Sequence, residues 1–246
     1  MHGFPSRNGP ESSSGRARLA SGLAALALVA ACAPAGRAPP PAERVAPGAA
    51  AAPAGRHFRI DAARSEVRIL VYRAGALARL GHNHVLLARD LAGELWLPPD
   101  PAAARFAVSF PVAALAIDEA AARAEEGEEF TLEPSAADIA GTRRNLEGPA
   151  VLDAARYPEV RLEGGGGRDG AGLTARTRIT VRDHTAELEV PVEVAGASGE
   201  VVVRGGFSVN QTALGLVPFS VGLGAIRVRD ELAVRFRLVA VADPPG

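Results

Sequence analysis

The sequence predicts an all-β protein, a closed antiparallel β-barrel of about eight strands with one short helical excursion. Three observations carry this prediction. Apolar and polar residues alternate over most of the chain between residues 57 and 243. Two alternating segments within Leu173–Val194 are joined by a short polar stretch typical of a hairpin turn. Residues 118–157 break the alternation, in part with an Ala- and Glu-rich stretch.

The hairpin at Leu173–Val194 is the clearest element. A period of two places every second residue on the same face of a strand. The apolar faces carry Leu173, Ala175, Thr177, Ile179 and Val181 on the first strand, and Leu188, Val190, Val192 and Val194 on the second. Arginines alternate with the first set and glutamates with the second, which favours cross-strand pairing. Because two strands are not stable alone in water, other segments must complete the sheet.

Strands are also predicted on the N-terminal side of the excursion. The segments are His57–Asp61, Glu66–Tyr72, Val85–Leu97 and Arg105–Ile117. In the second segment, one face carries Val67, Ile69 and Val71. We expect the third segment to be a single long strand that bends at Gly93, since glycine inside a strand often marks a bend.

The excursion contains two stretches of different character. Glu119–Glu129 has few apolar residues, which predicts an exposed helix or a mobile insertion whose carboxylates form a solvated face. Further on, Ser135 and Asp138 have the spacing of a capping box. We therefore expect a helix to begin there and to end near Leu146.

The alternation returns after the excursion. Glu159–Glu163 is a short strand candidate, and we expect the glycine run Gly164–Gly167 that follows it to be a loop. Gly199–Val209 and Ala225–Val241 are the last two strand candidates. The final strand has one apolar face, which includes Leu232, Val234 and Phe236.

The N terminus has the features of an export signal. The apolar run Leu19–Ala31 follows arginines, is short for a membrane span, and ends in the sequence Val-Ala-Ala-Cys. This ending resembles a bacterial lipobox, where a peptidase cuts before a cysteine that then carries lipid. We expect residues 1–31 to be a lipoprotein signal peptide and Cys32 to anchor the chain to a bacterial membrane, in the periplasm. Ala33 favours the outer membrane, and an ordinary secretory signal with an incidental cysteine is the alternative.

The remaining composition limits the possible functions. Residues 32–56 are rich in Ala and Pro and predict a disordered tether, followed by the barrel domain over residues 57–243. A net charge of −1 gives no electrostatic basis for binding nucleic acid. The chain has no lysine, which excludes Schiff-base chemistry on a lysine. The sequence does not indicate an oligomeric state.

Several short motifs resemble the YceI-like, polyisoprenoid-binding family. They are Asp61-x-x-Arg64-Ser65-x-Val67-x-Ile69, Asn145-Leu146 with Leu152-Asp153-Ala154-Ala155-Arg156-Tyr157-Pro158-Glu159-Val160, Leu173-Thr174-Ala175 with Val181-Arg182-Asp183-His184-Thr185, and Phe207-Ser208-Val209-Asn210. Their order and spacing together cover residues 57–241. The resemblance implies a lipocalin-like barrel in the bacterial periplasm that encloses an isoprenoid-type lipid in an apolar tunnel. We expect no cofactor.

An apolar lumen is consistent with the strand pattern. An eight-stranded barrel either is filled by its side chains or holds one small ligand. The residues expected to line the lumen are Val67, Ile69, Val71, Leu173, Ile179, Val181, Leu188, Val190, Val192, Leu232, Val234 and Phe236. The candidates to contact a polar head at the mouth are Arg73, Arg79, His82 and His84. A filled barrel with a structural role in the envelope is an alternative.

His82 and His84 are also the sharpest signal for metal binding or catalysis. On a strand they would share a face, but a third ligand would have to come from the distant His57 or His184. Metal sites usually need three or four protein ligands, so we predict no metal. No serine lies in a nucleophile elbow and no triad can be assigned, so we predict no catalysis. A metal protein or enzyme that uses this pair is the other alternative.

Overall fold

The computed structural model describes residues 54–170, 172–197 and 199–243. Most of them belong to one antiparallel sheet of 12 strands. The strands are β1 (Arg56–Ile60), β2 (Glu66–Ala74), β3 (His84–Ala88), β4 (Ala92–Leu97), β5 (Arg105–Pro111), β6 (Leu115–Ile117), β7 (Glu159–Asp169), β8 (Gly172–Val181), β9 (His184–Ala197), β10 (Glu200–Asn210), β11 (Ser220–Val221) and β12 (Ile226–Ala242). Two α-helices of this part, α1 (Ala120–Ala124) and α2 (Ala136–Glu147), lie between β6 and β7. Neither is long and apolar enough to cross a membrane.

Eight of the strands close into a barrel in the order β1-β4-β5-β7-β8-β9-β10-β12. The ring closes at β12, which pairs with β10 on one side. On its other side, β12 pairs with β2 over residues 227–237 and with β1 over residues 240–242. β2 also pairs with β3, and β3 with β6, so these three strands extend the wall beyond the ring. The predicted closed antiparallel barrel is confirmed.

β8 and β9 form the hairpin that the alternation predicts. Val181 pairs with His184, which leaves a two-residue turn in which Arg182 has a φ of 57°. A tight turn with positive φ matches the right-handed twist of the strands. Arg176 lies directly opposite Glu189, as the alternating charges of the two segments predict.

The prediction of one strand over Val85–Leu97 is wrong. The chain turns after Ala88, where Asp90 has a φ of 53°, and this turn separates β3 from β4. Aspartate tolerates the left-handed conformation, so Asp90 rather than Gly93 changes the chain direction. Arg105–Ile117 is likewise two strands, β5 and β6, separated by a 3₁₀ turn. As a result β4 and β5 stay in the ring, whereas β3 and β6 lie outside it.

The prediction that Gly164–Gly167 is a loop is also wrong. β7 continues through the glycine run and pairs with β8 along it. A Cβ on Gly164 would lie 1.9 Å from the carbonyl oxygen of Arg176, and a Cβ on Gly166 would lie 2.2 Å from that of Pro101. The glycines therefore allow neighbouring backbone to approach the strand closely, and they do not form a turn.

Residues 119–133 cover the outer face of β2 and β3. The predicted helix forms there as α1 and is mostly exposed, but Ala122 and Arg123 are buried, so the prediction of an exposed helix or a mobile insertion is only partly right. Phe130 packs with Leu70 and Leu87 in a small apolar cluster. The carboxylates are not all solvated either, because the Glu126 side chain is 4% exposed and pairs with Arg68 at 2.7 Å. This cover explains why β3 is buried on both faces, with no alternation in its sequence.

The other predicted elements are close to the observed ones. α2 begins with the predicted capping box between Ser135 and Asp138 and ends at Glu147. The last two strand candidates are β10 and β12, with ends that differ from the prediction by a residue or two. The predicted signal peptide, Cys32 and the tether up to residue 53 lie outside the described residues.

Candidate functional site

The barrel encloses an apolar interior made of two adjoining chambers. The upper chamber, of about 240 Å³, lies toward the end of the barrel that carries α2 and the β8–β9 turn. The lower chamber, of about 130 Å³, lies toward the end where β4 finishes and the 3₁₀ turn 101–103 follows. Both chambers share the wall residues Val67, Phe110, Leu162, Phe207 and Val234. The two chambers therefore lie next to each other inside the barrel, with these residues on the walls of both.

The structure places the predicted lumen residues on these walls with one exception. Those on the upper chamber are Val67, Ile69, Val71, Ile179, Val181, Leu232 and Val234. Those on the lower chamber are Val67, Leu173, Val190, Val192, Val234 and Phe236. Leu188 packs against the main core without lining either chamber. Ligand contact by any of these residues remains a prediction.

Sequence reasoning missed several wall residues. Phe106 and Phe110 of β5 lie two residues from Val108, and Phe207 of β10 lies two residues from Val209, so a period of two in the apolar residues could have found them. Leu214 and Leu216 also line the upper chamber, but they come from a segment between strands. In a segment without regular alternation of apolar and polar residues, the sequence does not indicate which side chains point into the barrel.

One glycine shapes the lower chamber. A Cβ on Gly205 of β10 would lie 2.5 Å from the ring of Phe236, which is its partner on β12. The missing side chain gives the aromatic ring the space that it occupies on the chamber wall. A larger residue at this position would push Phe236 out of its place.

The upper chamber has a polar part on its wall. The residues that contribute to it are His84 at the start of β3, Thr142 and Asn145 on α2, and Gln211 after β10. The Gln211 amide nitrogen donates to the carbonyl oxygen of Arg229 at 2.7 Å. The Nδ1 atom of His84 lies 2.6 Å from Oδ2 of Asp118.

Asp118 holds His84 through a buried charge network. Its side chain is completely buried, and its Oδ1 accepts from the Val85 amide at 2.9 Å and from Arg123 at 2.5 Å. Burial alone would raise the pKa of Asp118, but the hydrogen bonds from His84, Val85 and Arg123 lower it below its usual value. The ionised carboxylate accepts a hydrogen bond from the Nδ1–H group of His84. Nε2 is therefore the ring nitrogen that remains for a ligand in the chamber.

Arg123 completes this network and ties it to the covering segment. Its side chain is 3% exposed, and its guanidinium also donates to the carbonyl oxygens of Asn83, Phe130 and Leu132 at 2.6–2.8 Å. The network therefore fixes the start of β3 and the position of His84 at the chamber wall.

The other predicted mouth residues are not on the chamber walls. Arg73 donates to the carbonyl oxygen of Gly81 at 2.7 Å, so its guanidinium holds the loop that precedes β3. Arg79 is exposed on a 3₁₀ turn of that loop. The ring centroid of His82 lies 6.3 Å from that of His84, in the residues just before the strand.

Within the described residues, no group of three His, Cys, Asp or Glu side chains is arranged to hold a metal ion. His57, one possible third ligand, lies on β1 and contacts Asp243 at 2.7 Å. His184, the other, lies at the start of β9 and contacts Asp183 at 2.9 Å. The structure thus gives His82 and His84 no third ligand from these positions.

The fold and the interior define a lipocalin-like barrel with an apolar cavity. The model of the YceI-like domain family matches residues 58–240, and the chain therefore belongs to the YceI-like family, which confirms the resemblance. No curated protein matches the chain.

Solved structures of similar fold come from several bacteria. The crystal structure of BcnA from Burkholderia cenocepacia is similar at 16% identity and a TM-score of 0.53, over 73% of this chain and 98% of that chain. A polyisoprenoid binding domain from Saccharophagus degradans, implicated in plant cell wall breakdown, has 10% identity and a TM-score of 0.49, over 76% and 98%. The YCEI protein of Campylobacter jejuni has 10% identity and a TM-score of 0.47, over 65% and 85%.

Proposed function

We propose that the chain is a membrane-tethered periplasmic carrier that holds an isoprenoid-type lipid in its two chambers. The observation that carries this proposal is the apolar interior, whose walls are mainly aliphatic side chains and phenylalanine rings. A structural barrel filled by its own side chains would not need this space. Membership of the YceI-like family supports an isoprenoid chain as the apolar ligand. The proposal includes no catalytic step.

Apolar burial alone supplies enough free energy to retain such a ligand. A chain of several isoprene units would remove a few hundred Å² of apolar surface from water. At roughly 25 cal/mol per Å², the gross gain is several kcal/mol before the cost of ordering the chain. Neither a covalent bond nor a strong polar anchor is needed for retention.

A polar head, where the lipid has one, fits the upper chamber better than the lower one. The polar residues of the lower wall are engaged within the protein: the hydroxyls of Thr174 and Thr177 donate to Glu189 and to the carbonyl oxygen of Ala175. Glu94, also on this wall, lies 3.6 Å from Arg59. In the upper chamber, Nδ1 of His84 is engaged by the protein and Nε2 is left for a ligand. We therefore orient the lipid with its head toward His84 and its tail in the lower chamber.

The tether part of the proposal is supported by the sequence. The apolar run that ends in Val-Ala-Ala-Cys predicts lipid on Cys32, and the following Ala33 favours the outer membrane. Residues 33–53 would then connect the anchor to the barrel domain. A lipid carrier held at a membrane has its source of ligand nearby.

Displacement binding with a defined long-chain polyprenol tests the lumen proposal. Ile179→Trp places an indole in the upper chamber, so this variant should lose most of the binding that the wild-type chain shows. Arg176→Trp is the matched control, because Arg176 is exposed on the same strand. Equal binding by the Ile179→Trp variant and the wild-type chain, with both folded, would contradict the proposal.

A further inference from the structure

Two loops at the upper end of the barrel carry an exposed apolar surface. One loop is 75–83, between β2 and β3, and the other is 211–225, which leads from β10 to β12 and contains β11. Among the described residues, the large apolar side chains that are exposed belong to these loops, apart from Leu132 and Val241. The exposed apolar residues of the two loops are Leu77, Leu80, Val217, Phe219, Val221 and Leu223.

The two loops are joined to each other and hold one leucine at an extreme position. The amide of Leu77 donates to the carbonyl oxygen of Ala225 at 2.8 Å. Leu223 is completely exposed, has a φ of 55°, and lies between two glycines that also have positive φ. A bulky residue rarely adopts positive φ, and here no burial within the chain compensates for it.

The charges of these loops have one sign. Neither loop contains Asp or Glu, while Arg79 is exposed on the first loop and Arg227 is exposed just after the second. Asp230 also follows the second loop, and its two oxygens accept from the amide and the hydroxyl of Thr212 at 2.9 and 2.6 Å. The carboxylates of the covering segment 119–133 lie on the neighbouring outer wall. Apolar side chains that enter the acyl boundary, with arginines at the level of the phosphates, are typical of a protein surface that lies on a phospholipid bilayer.

The surface is continuous with the lumen. Phe219 is 38% exposed and also lines the upper chamber, and the buried Leu216 lines the same chamber a few residues earlier. We propose that loops 75–83 and 211–225 dock onto a phospholipid bilayer at the mouth of the upper chamber. Docking there would let a lipid move between bilayer and barrel without crossing water, a role that rests on the proposed carrier function.

A depth-sensitive label on the full chain tests the docking. Cys32→Ser removes the only cysteine, so Leu223→Cys in that background takes a single environment-sensitive fluorophore. The matched control is Asp169→Cys, at the last residue of β7, which lies at the opposite end of the barrel. With vesicles of phosphatidylethanolamine and phosphatidylglycerol, the label at 223 should shift to the blue and be quenched by brominated acyl chains. The label at 169 should do neither.

A further substitution in the labelled Leu223→Cys chain tests how much each side chain of the two loops contributes to vesicle binding. Arg79→Gln and Arg227→Gln should each weaken vesicle binding about fivefold, because each removes one charge near an anionic surface. Leu80→Ser should weaken it, whereas Val241→Ser, an exposed apolar residue at the lower end, should leave it unchanged. Equal behaviour of the two labels, or a shift at 223 that needs another envelope protein, would overturn the proposal.

Two variants distinguish a failure of the docking proposal from a failure of the lumen proposal. The Ile179→Trp chain, labelled at 223, should dock although it has lost its lumen ligand. The unlabelled Leu80→Ser chain should bind a polyprenol in detergent as the wild-type chain does. Loss of docking in the first variant would contradict a surface that acts through its own loops.

Discussion

Val190→Trp tests whether the lower chamber holds the end of the lipid tail. Val190 is 2% exposed and lies on the wall of the chamber of about 130 Å³. An indole at this position extends from the wall into the chamber and takes the space where we place the end of the tail. The upper chamber, where we place the head, is unchanged by the substitution.

The size of the effect follows from the tail that no longer fits. At roughly 0.8 kcal/mol per buried CH₂, one isoprene unit contributes about 3–4 kcal/mol gross. After the cost of ordering the unit, about 2 kcal/mol remains, which is about thirtyfold in affinity. Overpacking should destabilise the barrel by about 1–3 kcal/mol, a loss that leaves it folded.

Competition between polyprenols of different length measures this effect. The Val190→Trp chain should lose affinity for the long polyprenol by about thirtyfold and keep its affinity for one that is shorter by one or two units. Glu193→Trp, on the exposed face of the same strand, should bind both as the wild-type chain does. An unchanged preference for the long chain in the Val190→Trp variant would refute the orientation with the tail in the lower chamber.

Three other changes test separate parts of the structure. Cys32→Ser should release the chain from the membrane as a soluble periplasmic form, which cell fractionation checks. His82→Ala with His84→Ala should leave most of the lipid bound, because apolar burial supplies the affinity, and should remove no stoichiometric metal; lipid extraction and elemental analysis check both. Arg123→Leu should lower the free energy of unfolding by about 3–5 kcal/mol, because it leaves Asp118 buried without its charge partner. Because the pKa of Asp118 is lower in the folded than in the unfolded chain, its contribution to stability is complete above its ordinary pKa. That contribution should be lost as the pH falls through the folded-state pKa, which denaturant titrations at several pH values measure.

For each of these three predictions, one outcome would contradict it. Membrane association that survives Cys32→Ser would exclude the lipid anchor. About one tightly held metal ion per chain, lost in the double histidine variant, would favour the metal-protein alternative. Arg89→Leu, which removes an exposed pair with Glu119, should change stability by no more than about 1 kcal/mol. An equally small effect of Arg123→Leu would mean that the buried network does not stabilise the fold.

Alternation predicted the strands that have one buried and one exposed face. β8, β9 and β12 are of this kind, and Ile179, Val190 and Val234 are buried on their inner faces as the pattern requires. Period two directly reports a face, so a strand with one wet side is visible without any tertiary information.

The errors occur where a second layer or a close backbone approach changes the rule. β3 has no wet face because Phe130 and Ala122 cover it, so its continuous apolar run could not show where it ends. The glycines of β7 have the composition of a loop, yet contact with Arg176 and Pro101 requires them inside a strand. Both causes depend on residues far away in sequence.

The sequence predicted part of the candidate site, as it predicted part of the fold. The apolar walls followed from the alternation, but the partner of His84 did not, because Asp118 belongs to an acidic stretch that resembles a solvated face. Only the structure shows that this carboxylate is completely buried and paired with Arg123. Burial is the property that distinguishes this structural carboxylate from the solvated carboxylates that follow it in the sequence, and burial depends on the tertiary structure.

The most direct test of lipid carriage is native mass spectrometry of the chain purified from its own host. We predict a mass above that of the polypeptide and its anchor, with an excess that organic extraction removes and that fragments in steps of one isoprene unit. The excess should be absent from the Ile179→Trp chain and present in Arg176→Trp. A wild-type chain that carries no extractable excess mass would contradict the carrier proposal and favour a structural barrel.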